Sequence, residues 1–173
     1  MTVRDALQDL VSVPEKGDNN SPDADGEKVK AEIEKLGVRL SRCFVEMVLP
    51  SVFAVENDLN QMGFWNQVNI GQSTSLSSGK PNVREVTFYF FPIKEPTFRP
   101  KALETVYRAV FRSTPDQRKI TFALAFPKRI PPVTEAAERT YPIEKITKKL
   151  VDDLLEEFIK GAVDAYGSDR ILT

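Results

Sequence analysis

The chain has 173 residues, 41% of them apolar and 28% charged, with a formal net charge of −1. That length buries a proper core and fits one domain with an appended segment, and a charge near zero gives no overall pull toward nucleic acid or an anionic membrane. Histidine is absent, which excludes an imidazole base, Ser-His and Cys-His nucleophile pairs, and histidine metal ligands.

Asp, Glu, Lys and Tyr still permit catalysis, but they form no recognisable constellation. The reading leans away from an enzyme and assigns no catalytic residue, cofactor or metal. The single cysteine, Cys43, lies among apolar residues and reads as a small core hydrophobe that cannot form an intrachain disulfide. No run reaches the ~18 apolar residues of a membrane span. Asp5 and Asp9 interrupt what would be the apolar part of a signal peptide. A cytoplasmic location without a membrane span is expected.

In chain order, residues 1–13 suit a short amphipathic helix with Val3, Leu7, Leu10 and Val11 on one face. Residues 14–26 are polar, acidic and broken by Pro14, Gly17, Pro22 and Gly26. Such a composition reads as a linker, so residues 1–26 are set apart from a single domain over 27–173. A helix follows from Glu27, with Val29, Ile33, Leu36, Leu40, Phe44 and Met47 at helical spacing. It should end before Gly63 and be kinked near Pro50, which lacks a backbone donor. Between Cys43 and Val55 the helix is apolar almost all round, which asks for burial on more than one side. Arg42 and Glu46, one turn apart, read as an ion pair.

The strands come next. Residues 64–73 alternate, with Phe64, Asn66, Val68 and Ile70 on one face. Residues 83–91 are apolar on both faces: Val86, Phe88 and Phe90 on one, Thr87, Tyr89 and Phe91 on the other. Residues 101–112 fit either a helix or a strand. Their β-branched and aromatic residues, followed by Ser113-Thr114-Pro115-Asp116-Gln117, favour a strand that turns back as a hairpin. Residues 118–127 form a further strand, with Ile120, Phe122, Leu124 and Phe126 opposite the small Thr121, Ala123 and Ala125. A wide apolar stripe from Ile143 to Tyr166 marks a final helix between Pro142 and Gly167. Lys148–Asp152, Lys149–Asp153 and Glu156–Lys160 decorate its outer face.

The order predicts an α+β fold: a four-stranded antiparallel meander with the long N-terminal helix and the C-terminal amphipathic helix on one face. One covered face would leave Tyr89, Phe91, Val106 and Val110 open, and a homodimer would cover them. The leading functional expectation is a self-associating binding or adaptor protein that offers a hydrophobic surface or groove to a protein partner. Phe44, Met47, Val52, Phe53, Tyr89 and Phe91 are the candidate contact residues. A second expectation is a sheet–helix pocket for an apolar small molecule, lined by Phe88, Phe90, Phe122 and Phe126.

A third comes from charge distribution. Residues 94–129 hold nine basic and three acidic side chains, while both ends of the chain are acidic. Arg108, Arg112, Arg118 and Lys119 are therefore candidates for anion binding. Neutralisation by the chain's own acidic ends is the plainer reading, so nucleic acid is not the expected partner. No phosphate-loop, GxGxxG or nucleic-acid signature is present.

Overall fold

The computed structural model describes residues 22–75, 78–95, 97–126 and 138–171. The expected N-terminal amphipathic segment, and the linker up to residue 21, lie outside the described residues. Glu32–Thr173 form one compact unit and Met1–Ala31 another. Helix α1 covers Pro22–Cys43, so helical structure begins five residues before the expected start at Glu27.

The expected break at Pro50 appears as a π-helical turn, Phe44–Val48, between α1 and helix α2 (Leu49–Gln61). Pro50 sits in the first turn of α2, where a missing N–H does least harm. The widened turn lets the Leu49 N–H reach the Phe44 carbonyl and rephases the faces on either side. α2 then stops at Gly63, whose φ of +82° only glycine adopts at little cost. The Gly63 and Phe64 N–H groups close the end onto the Asn60 and Leu59 carbonyls.

Five strands follow, one more than expected: β1 Trp65–Thr74, β2 Pro81–Phe91, β3 Tyr107–Ser113, β4 Lys119–Ala125 and β5 Arg139–Pro142. They pair in chain order, all antiparallel, as a meander. The fifth strand has only four residues, too few to show a period against its Pro-rich surroundings. Residues 101–112 are strand only from Tyr107; Leu103–Thr105 form a 3₁₀ turn that starts the strand late. The C-terminal helix α3 covers Lys148–Ile171, with Ile143–Lys145 ahead of it as a 3₁₀ turn.

Alternation decides where the layers meet. Val86, Phe88 and Phe90 of β2, Tyr107, Ala109 and Phe111 of β3, and Ile120 and Phe122 of β4 are buried on one face. Against them pack Leu40, Phe44, Val48 and Val52 from the first helical layer and Leu154, Leu155, Phe158 and Ala162 from α3. Phe158 is the pivot, with its ring centroid 6.0 Å from Phe88, 6.4 Å from Phe90 and 6.3 Å from Phe126. Gly161 makes room for Phe126, since a Cβ there would lie 3.0 Å from its ring.

The other sheet face carries no described helix, yet the surface expected to need a second subunit is partly covered by the chain itself. Val106 is buried, because the late strand start turns it inward. Phe91 is half-buried against Phe98, Tyr107 and Tyr166, with centroids 4.9, 5.7 and 5.3 Å away. Of those four residues, Tyr89 and Val110 remain half-buried on the open face.

Phe158→Ala is expected to cost about 3–5 kcal/mol of unfolding free energy in urea titration, because the three facing rings cannot collapse onto an alanine.

Candidate functional site

The residues expected to share a partner surface do not share one. Phe44 and Val52 are fully buried in the chain's own core, and Met47 packs against that core. The apolar girdle around Cys43–Val55 meets the sheet on one side and α3 on the other, so two packed layers supply the neighbours it asked for. Phe53 is exposed on α2, Tyr89 lies on the opposite side of the sheet, and Phe91 packs at the strand end against Tyr107 and against Tyr166 of α3. The expected apolar pocket is also filled. Phe88, Phe90 and Phe122 are buried core residues, and Phe158 occupies the space between sheet and helices beside Phe126.

Two other surfaces are shaped to receive something. The first is a groove of about 430 Å³ between α2 and α3. Ala54, Val55, Leu155 and Ile159 give it an apolar floor; Asp58 stands on the α2 wall, and Asp152 and Glu156 on the α3 wall. Glu156 is held by Lys160 at 2.5 Å, as expected from their spacing. Lys149 and Asp153 pair at 2.9 Å, but the third expected pair, Lys148 with Asp152, is not formed. Asp58 and Asp152 therefore face the groove without an ion pair among the described residues. Ser51 also lines the groove; it is fully buried and its hydroxyl has no hydrogen-bond partner. A serine hydroxyl in that state is costly until something supplies an acceptor or donor. One turn beyond Asp58 and Ile159 along their helices, Met62 and Val163 are 58% and 46% exposed, so apolar surface continues past the groove.

The second surface is the open sheet face, where a hollow of about 470 Å³ lies over β2, β3 and β4. Cross-strand register sets out three rows. Tyr89, Arg108 and Ala125 form the first, Thr87, Val110 and Ala123 the second, and Glu85, Arg112 and Thr121 the third. In the third row Arg112 donates to Glu85 at 2.5 Å, and Thr121 meets Thr140 of β5 at 3.0 Å. The alanines and threonines are what leave the hollow. The four expected anion contacts thus divide: Arg108 and Arg112 line this hollow, while Arg118 and Lys119 border a smaller one beside Leu36 and the exposed Arg39–Glu144 ion pair.

Cys43 is buried, as its neighbours in sequence imply. Burial pushes its thiol up to about 11, with Glu46 adding to the rise. Glu46 itself is exposed and paired with Arg42 at 4.0 Å, the arrangement read from their spacing. Among the described residues no group of three His, Cys, Asp or Glu side chains is placed to hold a metal ion. Nor is any described helix long and apolar enough to cross a membrane.

In the native protein Cys43 should react with a disulfide reagent at pH 8 at least about a hundredfold more slowly than in urea, since a two-unit rise removes that share of thiolate. The same shift makes stability pH-dependent. The unfolded thiol ionises first, so the contribution is whole below pH 9 and is lost as pH rises toward 11. Urea titrations at pH 8 and 10.5 compared with Cys43→Ala should show a steeper alkaline loss for the native residue.

Comparison with known proteins finds no matching family model, no matching curated protein and no matching solved structure.

Proposed function

We propose that the protein is a non-enzymatic, self-associating binding protein that seats an apolar protein segment between α2 and α3. The observation that carries this reading is the groove: an apolar floor open to solvent, with unpaired carboxylates on both walls. A solvated helix pair has no need of that arrangement, because its apolar residues would face inward and its charges would pair with one another. A partner that fits presents one or two apolar side chains flanked by lysine or arginine, the cations meeting Asp58 and Asp152.

Self-association belongs to the same reading. The exposed Met62 and Val163 extend the groove, and a second copy of this chain is the simplest body able to cover so much apolar helix. A cytoplasmic setting accords with the one free thiol and the unremarkable charge.

Light scattering after size exclusion at tens of micromolar should report a dimer for the native chain. Ala54→Arg should give a monomer of unchanged circular dichroism, because Ala54 is exposed at the groove. A native monomer would remove self-association from the proposal. A photo-crosslinking residue at position 54 separates the remaining cases: a discrete adduct with a second copy or another protein supports the groove, and failure to form any discrete adduct refutes it.

A further inference from the structure

From the open face of the sheet we infer a second, independent site: a pocket for a small organic oxyanion, held by Arg108 and seated over Val110 and Ala123. The two arginines of β3 make the case by contrast. Arg112 and Arg108 are four residues apart on one strand, about 13 Å, and point to the same face. Arg112 has its carboxylate, since Glu85 lies directly across the strand pair and takes its guanidinium. Arg108 has Tyr89 across β2 and Ala125 across β4, neither of them anionic.

Among the described residues Arg108 has no ion pair and no side-chain hydrogen bond, although it is half-buried. A guanidinium carries five donors in a rigid fork that matches a carboxylate or phosphate group. Leaving it half-buried and unpaired makes sense where an anion from outside completes it.

The surroundings narrow what that anion is. Glu138 also borders the hollow, but it forms no ion pair with Arg108, and Glu85 is engaged by Arg112 and by the Thr87 hydroxyl at 3.3 Å. Among the described residues lining the hollow, one positive group is therefore free, which favours a single oxyanionic head over a polyanion. Val110 and Ala123 form the next row, apolar and small, so the body of the ligand is compact and largely apolar. Tyr89 offers a ring face and a hydroxyl beside the head group. The hollow of about 470 Å³ lies within the ~300–1,000 Å³ typical of small-molecule sites. Carboxylate and phosphate share the chemistry that Arg108 recognises, and the experiment distinguishes them.

The test is a titration of the full chain with benzoate and with phenyl phosphate, read by amide NMR, with inorganic phosphate as a third arm. The expected result is saturable shifts at Tyr89, Val110 and Ala123 with at least one aromatic probe, and weaker binding of inorganic phosphate, which lacks the apolar body. Arg108→Gln should weaken binding by at least about tenfold while the rest of the spectrum stays native. Arg108→Lys should recover part of it, because the charge returns without the fork. Arg112→Gln should change affinity less than threefold, about the effect of disturbing a neighbour.

No saturation by either aromatic probe at about 10 mM, where even a bare ion contact would register, overturns the proposal. So does unchanged affinity in Arg108→Gln. Shifts confined to residues around Arg118 and Lys119 would place anion binding at the smaller hollow and also overturn it.

Discussion

Three rings that line the sheet, Phe88, Phe90 and Phe126, converge on Phe158 of α3, which holds the helical layer to the strands. Aromatic pairs in edge and stacked arrangements at these separations each add to the energy of simple burial. The contact also sets position. With Phe158 seated on β2 and beside Phe126, α3 lies next to α2, and the spacing between the two helices is what opens the groove.

The same contact explains why the molecule has two kinds of surface. Helices cover one face of the meander, so its strands carry bulky apolar groups there and small or polar groups on the other side. Three rows across the open face resolve into a paired arginine, a largely apolar middle and an arginine with no ion pair among the described residues. The chain's aromatic residues then complete the edge of that face: Phe98 stacks on Phe91 and meets Trp65 at 5.9 Å, covering what alternation alone would leave bare. The groove and the hollow lie on opposite sides of the sheet, which lets each be tested without disturbing the other.

Surface ion pairs contribute little to holding this together. Arg39–Glu144, Arg42–Glu46, Lys149–Asp153 and Glu156–Lys160 are solvent-exposed, so water and salt screen them. Their value here is diagnostic. Among the described residues Asp58, Asp152 and Arg108 form no ion pair, and the proposed sites are built on them.

Much of the architecture was legible in the residues because it rests on local periods. Stripes at i, i+3, i+4 and i+7 identified the helices, and alternation identified the core faces of β2 and β4, down to Phe88, Phe90 and Phe122. The α+β meander followed from their order. The fifth strand was hidden because four residues carry no period, and residues 101–112 were ambiguous because a 3₁₀ turn precedes the strand. Only the tertiary structure decided what those apolar residues face. Phe44 and Val52 looked available to a partner and are enclosed by the sheet and α3, since a sequence records how apolar a helix is and not how many layers surround it. The site residues depended on the same information. Arg108 and Arg112 are alike in sequence, and only strand register, which places Glu85 beside one and Tyr89 beside the other, separates an ion-paired arginine from one with no ion pair among the described residues.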